Sequence, residues 1–150
     1  MRPILAIIFF LSITSLRGNS QASSTGLGGN LTVVITGFKN NKGSASVALF
    51  DKADAFPKSP EKAVAIIYTK ISDSKSVAVF EHLKAGEYAV SVYHDENNNK
   101  KMDANFFGMP KEGVGASNNA KGHFGPPKYD DAKFVFDGKQ DTVTIAITYL

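Results

Sequence analysis

Short runs of apolar and β-branched residues, each followed by a turn-forming segment, occupy most of the chain after residue 30. In the run Glu87–His94, the residues Tyr88, Val90 and Val92 alternate with smaller or more polar residues, and this period of two places each set on its own face of a β-strand. No window shows a sustained helical period. The chain is therefore expected to fold into two packed antiparallel sheets. Seven strands are predicted, at Leu31–Gly37, Ser44–Phe50, Ala63–Ile71, Ser76–Phe80, Glu87–His94, Ala132–Phe136 and Thr142–Tyr149.

The first 22 residues have the three parts of a secretory signal peptide. Met1-Arg2 is a short positive start, Ile4–Leu16 is an apolar run of 13 residues, and Ser20–Ala22 is a cleavage site made largely of small residues. An ordinary membrane span needs about 20 apolar residues, so this run is too short for one. An uncleaved anchor or an apolar first strand is the alternative interpretation. We expect an exported protein, periplasmic or extracellular, with no membrane span after signal removal.

Charge and cysteine content narrow the classes of function open to the rest of the chain. The sequence has 17 Lys and Arg against 14 Asp and Glu, and without residues 1–22, which hold two Arg and no acid, 15 face 14, a net charge of +1. Nucleic-acid binding needs a strongly basic surface and is not expected. The absence of Cys excludes disulfides, thiolate metal sites and Cys nucleophiles. We expect a flexible lead-in at residues 23–30 and a single, monomeric β-sandwich domain at residues 31–150.

The segment 95–131 has no convincing strand or helix over its 37 residues. Loops longer than about 15 residues are uncommon in compact domains and are usually functional or disordered. This one contains several aromatic residues together with many Gly and Pro, a composition that favours a folded loop with a specific path. The aromatic side chains are candidates for a contact patch, although we expect at least half of them to pack onto the end of the sandwich. They are Phe106, Phe107, Phe124 and Tyr129.

The beginning of this long loop has the spacing of a calcium-binding loop. Ca²⁺ prefers six to eight hard oxygen ligands, which a chain curling around the ion supplies from alternate residues. Side-chain oxygens occur here at positions 1, 3, 5 and 9, and the backbone carbonyl of position 7 is the fifth candidate. The predicted ligands are Asp95, Asn97, Asn99, Lys101 (carbonyl) and Asp103.

Two positions depart from the calcium loop of EF-hands. Lys100 stands where the EF-hand has Gly, and Phe106 stands where it has a bidentate Glu, so a last ligand has to come from elsewhere, with Glu112 the nearest downstream carboxylate. The lysine charge beside the ion should lower the affinity. The alternative is an Asn-rich turn whose side chains bond their own backbone. A transition metal would use His94 or His123, but their separation is not that of a paired metal site.

Several motifs in order resemble the bacterial domain-of-unknown-function family 2141: His94-Asp-Glu-Asn-x-Asn-x-x-x-Asp103, Phe107-Gly-x-Pro-x-Glu-Gly113, Ser117-Asn-Asn119 and Gly125-Pro-Pro127. The resemblance spans residues 31–149 and implies a small exported protein with a prealbumin-like sandwich. The family often has Gly where this chain has Asn98 and Lys100. The turn Leu83-x-x-Gly86-x-Tyr88, followed by the Asp/Asn loop, is also similar to the B-type repeats of Gram-positive surface adhesins, in which such a loop binds Ca²⁺.

Together these observations predict an all-β fold, a seven-stranded antiparallel Greek-key sandwich of prealbumin or immunoglobulin type with one long ordered loop. The favoured function is a non-enzymatic binding or structural module of the cell envelope, with a weak Ca²⁺ loop and an envelope protein or a glycan as partner. The sequence does not distinguish this function from that of an accessory subunit recognised by a larger envelope protein. The alternative is a small hydrolase that uses the carboxylates of the loop, with His94, His123 or Ser117 as further candidates.

Overall fold

The computed structural model describes residues 28–150. The predicted signal peptide, residues 1–22, lies outside the described residues. Strand β1 begins at Gly29, two residues before the start of the domain expected from the sequence. Among the described residues, no helix is both long enough and apolar enough to cross a membrane.

Residues 28–150 form eight strands in two sheets. The first sheet, sheet I, has the order β4-β1-β8, and the second, sheet II, has the order β3-β2-β5-β6, with β7 paired to the first residues of β5. The strands are β1 (Gly29–Thr36), β2 (Ser44–Phe50), β3 (Ala65–Lys70), β4 (Lys75–Leu83), β5 (Gly86–Asp95), β6 (Val114–Ala116), β7 (Phe134–Phe136) and β8 (Gln140–Ala146). The helical elements are short: 3₁₀ turns at Pro60–Lys62 and Ser117–Asn119, and helix α1 at Tyr129–Ala132.

The main core lies between the two sheets and follows the predicted alternation. In β1, Leu31, Val33 and Ile35 are fully buried, while the residues between them are half-buried on the outer face. The inward residues of β2, β5 and β8 belong to this core, together with Ala78, Phe80 and Leu83 of β4 and Phe136 of β7. In β5 and β8, period-two patterning therefore places the predicted face inward, and the predicted all-β sandwich is confirmed.

Tyr88 is a core residue, as its phase with Val90 and Val92 predicts. Its ring is 8% exposed, and its hydroxyl donates a 3.0 Å hydrogen bond to the carbonyl of Lys84. This local bond from a tyrosine to upstream backbone closes the turn between β4 and β5. The buried ring and the satisfied hydroxyl together fix where β5, and the loop that follows it, begins.

A second apolar cluster covers the outer face of sheet II. It is built by residues of β2 and β5 that point away from the main core, by the loop after β2 and by helix α1. Phe50, Phe56 and Tyr129 stack edge to face there, with ring centroids 5.5 and 5.9 Å apart. Strand β2 is consequently buried on both faces, which explains its run of consecutive apolar residues at Val47–Phe50.

The prediction of seven strands, all antiparallel, is wrong in two respects. Strand β6 lies inside the segment that was expected to have no strand, because its three residues are too few to show a period and pair with distant parts of the chain, Ser91–Tyr93 of β5 and, through Val114, Thr148. Strands β1 and β8 are parallel. Alternation of side chains is the same in parallel and antiparallel strands, so the sequence pattern does not distinguish the two kinds of pairing.

Candidate functional site

The predicted calcium loop begins where β5 ends, and its first residue is part of the sheet. Asp95 is opposite Ser44 of β2 and is fully buried. Its carboxylate accepts hydrogen bonds from the backbone N–H of Asn99 at 3.0 Å and of Lys100 at 2.9 Å. A buried carboxylate needs such donors, since an unpaired charge in the interior is strongly destabilising. Asp95 therefore fixes the turn of the loop from inside the protein.

The turn around Asp95 needs two residues with left-handed backbone angles. Asn98 has a φ of 56° and Lys100 a φ of 60°. These are the two positions at which the resemblance implies Gly, which adopts such angles without steric cost. Asn tolerates this conformation well, whereas Lys does so less readily. The chain keeps the backbone path of the loop while replacing the residues that most easily follow it.

Three of the four predicted side-chain ligands lie close together on the outer part of the loop. The Asp103 carboxylate accepts hydrogen bonds from the side-chain amides of Asn97, at 2.8 Å, and of Asn99, at 3.1 and 3.2 Å. The amide oxygens of Asn97 and Asn99 accept bonds from the backbone N–H groups of Asn99 and Lys101. The hydrogen bonds expected of an Asn-rich turn are thus present, and they gather the same residues that the calcium interpretation requires.

Glu112 closes the loop from its far end. Its buried carboxylate accepts one hydrogen bond from the backbone N–H of Glu96 at 3.1 Å and another from the backbone N–H of Asp103 at 3.0 Å. Both ends of the loop are therefore tied to one side chain. By sequence, Glu112 is only the nearest downstream acid, whereas in the structure its carboxylate lies against the loop. A carboxylate has about four acceptor positions, so two remain for water or a cation.

A hairpin projects from this closed loop. Ala104 bridges to Pro110, the N–H of Asn105 donates to the carbonyl of Met109 at 2.8 Å, and Gly108 takes the positive φ of 77° that the turn needs. At its tip, Phe106 is 98% exposed and Phe107 84% exposed. Their rings contact each other edge to face with centroids 5.6 Å apart. The hairpin has an ordered backbone, yet its two aromatic rings do not pack on the sandwich.

The expectation that at least half of the four loop aromatics pack onto the sandwich is wrong. Phe106, Phe107 and Phe124 are exposed, and Tyr129 alone is buried, with its hydroxyl donating to the carbonyl of Glu87. Aromatic side chains are usually buried, and for this reason the residue type alone predicts burial for these four residues. The exposure of Phe106 and Phe107 comes from the hairpin, which turns back on itself at Gly108.

The family-model comparison matches residues 33–144 to a family described as uncharacterized protein conserved in bacteria, DUF2141. The chain belongs to the DUF2141 family. The match begins within β1 and ends within β8, so it contains the loop, the hairpin and both buried carboxylates, and it confirms the resemblance noted in the sequence. No curated protein and no solved structure matches the chain.

In this DUF2141 member, His94, the residue before the loop, connects β5 to Tyr149 and to the turn between β1 and β2. His94 is fully buried, with Nδ1 2.7 Å from the hydroxyl of Tyr149 and Nε2 2.7 Å from the carbonyl oxygen of Lys42. A carbonyl only accepts, so Nε2 carries the proton, and in the neutral ring Nδ1 accepts from the tyrosine. Both ring nitrogens are occupied. Gly113 leaves space for the same tyrosine, since a Cβ there would lie 2.6 Å from its ring.

An ion pair lies beside the hydrogen-bonded pair of His94 and Tyr149. The Nζ of Lys39 is 2.6 Å from Oε1 of Glu96 and 4.7 Å from the ring centroid of Tyr149. The hydrogen bond from Lys39, followed by that from Asn40, lowers the pKa of the Glu96 carboxyl below its ordinary value. The same hydrogen bond raises the pKa of Lys39. Glu96, the second residue of the loop, is thereby fastened to the turn between β1 and β2.

The Ser117-Asn118-Asn119 motif of the DUF2141 family acts here as a clamp. The buried Ser117 hydroxyl accepts from the N–H of Val90 and donates to the carbonyl of Ala132. The Asn118 amide donates to two carbonyls at the end of α1, and the Asn119 oxygen accepts from a backbone N–H of β8. Asn118 and Asn119 both have positive φ angles, which Asn tolerates well. The motif joins β5, α1 and β8.

The candidate hydrolase residues do not form one reactive group. Asp95 and Glu112 accept backbone hydrogen bonds, Glu96 and Asp130 form ion pairs with lysines, and the Ser117 hydroxyl is bonded to backbone. His123 lines an open depression of about 350 Å³ made by residues 121–126, Lys128 and Asp131, outside the Asp/Asn loop. Within residues 28–150, no group of three or more His, Cys, Asp or Glu side chains is placed to hold a metal ion. A Ca²⁺ site would also use amide and backbone carbonyl oxygens, which are not among these four types of side chain.

Proposed function

We propose that this protein is an exported binding or structural module of the bacterial cell envelope, in which a β-sandwich presents the hairpin 104–110 to a partner. The observation that supports this most directly is the pair of adjacent, almost fully exposed rings of Phe106 and Phe107 on a hydrogen-bonded hairpin. Exposed large apolar groups that lie together commonly mark interaction sites. The two buried carboxylates at the base of the loop would keep the tip in one orientation.

We further propose that the loop carries a weak Ca²⁺ site made by Asp95, Asn97, Asn99, Asp103 and the carbonyl of Lys101. The side chains of Asn97 and Asn99 both point at Asp103 through their NH₂ groups. Turning each amide by 180° replaces the NH₂ with an oxygen, which would convert this cluster into a set of oxygen ligands. Glu112 is near enough to the loop backbone to contribute an oxygen or to position a water.

The same geometry predicts a low affinity. Each amide that turns toward the ion gives up its hydrogen bond to the loop backbone, and each such bond is worth about 0.5–1.5 kcal/mol. The lysines at positions 100 and 101 add positive charge close to the ion. We therefore place the site in the weak extracellular class, with a Kd of roughly 10⁻⁴–10⁻³ M. At about ten times Kd, binding would stabilise the fold by ~1.4 kcal/mol.

Thermal unfolding with and without Ca²⁺ tests the site, using Asp103→Asn as the variant. Asp95 is less suitable because its removal leaves two backbone N–H groups without their acceptor, and the fold would weaken even without the ion. The wild type should gain several degrees in melting temperature at millimolar Ca²⁺, and Asp103→Asn should gain none. Asp54→Asn, an exposed residue after the opposite end of β2, is the matched control and should behave as the wild type. A wild-type melting temperature unchanged by Ca²⁺ would leave only the Asn-rich turn.

The geometry does not favour the hydrolase alternative. Glycoside hydrolysis needs two carboxylates facing one groove, one of them kept protonated near neutral pH. The low pKa of Glu96 is the opposite of what a general acid needs. We propose that the protein is not an enzyme. A hydrolase activity of the wild type that is lost in Asp103→Asn but retained in Asp54→Asn would overturn this proposal.

A further inference from the structure

Three exposed lysines flank the hairpin: Lys100, Lys101 and Lys111. The segment 100–112 contains these three lysines and two acids, a net charge of +1. Both acids, Asp103 and Glu112, are already bonded within the loop. The base of the hairpin therefore carries exposed positive charge.

The apolar part of the hairpin is a convex tip. Phe106 and Phe107 stand at the turn of the hairpin, and Met102 and Met109 beside it are each about half exposed. Lys101 precedes this group and Lys111 follows it, both exposed. Both rings stand in the turn beyond the Asn105–Met109 hydrogen bond, the part of the hairpin furthest along the chain from the bridge at its base. The two rings are thus furthest along the hairpin from its base, and the lysines stand nearer that base.

The chemistry of this tip fits a lipid surface better than a sugar or a polar peptide. Phenylalanine has no hydroxyl or N–H to bond a sugar, and a convex tip does not enclose a ligand, unlike a small-molecule site. The headgroup region of each leaflet is roughly 5–8 Å deep, the difference between a bilayer of about 40–45 Å and its core of about 30 Å. Aromatic side chains at the tip would enter this region while the lysines at the base of the hairpin contact the headgroups.

We propose that the hairpin docks on an anionic lipid bilayer, with Phe106 and Phe107 entering the interface and Lys101 and Lys111 contacting acidic headgroups. This inference rests on the proposed function of the hairpin as a binding surface, and it names the partner. Shallow insertion of apolar side chains combined with basic residues is a general mode of reversible membrane binding. Docking through the hairpin would hold the protein at the membrane surface with its sandwich in water.

The chain contains no Trp, so a single Trp placed in the hairpin reports on it alone. Phe107→Trp in the mature chain, residues 23–150, should show a blue-shifted emission with phosphatidylglycerol vesicles and none with phosphatidylcholine vesicles, measured in EDTA to exclude Ca²⁺ bridging. Val135→Trp is the matched control, because Val135 is an exposed apolar residue of β7 outside the hairpin. A blue shift in both variants, or in neither, overturns the inference.

Vesicle co-sedimentation gives the second measurement. The double variant Phe106→Ser/Phe107→Ser should bind phosphatidylglycerol vesicles at least about tenfold more weakly than the wild type, and Lys111→Gln should weaken binding and reduce its dependence on salt. Equal binding by the double variant and the wild type overturns the inference. If the wild type ignores vesicles but binds an envelope glycan or protein through the same two Phe residues, the lipid partner is wrong while the proposed function of the hairpin stands.

Discussion

Replacing Glu112 with glutamine removes one acceptor from the base of the loop while keeping the shape of the side chain. The carboxylate now accepts N–H groups from Glu96 and Asp103 in a buried position. Glutamine keeps one acceptor oxygen and sets its NH₂ against the other N–H, so one hydrogen bond is lost and one donor faces another donor. Hydrogen bonds to charged groups contribute about 1.5–3 kcal/mol, and a buried unpaired donor costs about 1–3 kcal/mol. We expect a loss of about 2–4 kcal/mol in the free energy of unfolding.

Urea denaturation in calcium-free buffer measures this loss directly. With an m-value of about 2 kcal/mol per M, the midpoint should fall by about 1–2 M. Glu61→Gln is the control, because Glu61 is an exposed residue of the 3₁₀ turn Pro60–Lys62, and it should change the free energy by no more than about 0.5 kcal/mol. A Glu112→Gln variant as stable as the wild type would show that the loop is not fastened to the sandwich by this carboxylate.

Three further predictions concern other parts of the chain. The pKa of Glu96 is lowered in the folded state, so its stabilising effect is complete above the unfolded pKa of 4.5 and is lost as pH falls through the folded value. Between pH 5 and pH 3, the melting temperature of Glu96→Gln should therefore fall by less than that of the wild type. An equal fall in both proteins would contradict this prediction. Tyr88→Ala should cost about 3–5 kcal/mol of unfolding free energy by urea denaturation, and a cost below ~1 kcal/mol would exclude its core role. Export should remove residues 1–22, as the intact mass of the exported protein will show; a mass that includes residues 1–16 would disprove cleavage.

The sandwich was predictable from the sequence because burial on one face leaves a period of two in each strand. Tyr88, Val90 and Val92 have the orientation that this period predicts. The parallel pairing of β1 with β8 was not predictable, since it depends on how distant segments meet and leaves no trace in the alternation. Strand β6 was not predictable for the same reason, because its pairing partners in β5 and at Thr148 are distant in sequence.

The candidate site was predictable in its residues but not in its connections. The spacing of Asp and Asn identified Asp95, Asn97, Asn99 and Asp103, which the structure brings together. It did not reveal that Asp95 is buried or that Glu112 ties both ends of the loop, because those contacts depend on the sheet. The hydrogen bond between His94 and Tyr149 links residues 55 positions apart, so no local sequence pattern predicts it.

Hydrogen exchange of residues 95–112 tests most directly whether this loop is a fastened unit that presents its aromatic tip. The N–H groups of Glu96, Asn99, Lys100 and Asp103, which donate to the Asp95 and Glu112 carboxylates, should exchange slowly even without Ca²⁺. Millimolar Ca²⁺ should slow exchange further between residues 97 and 103. Exchange at the rate of an unfolded chain at these four amides, with or without Ca²⁺, would contradict the account.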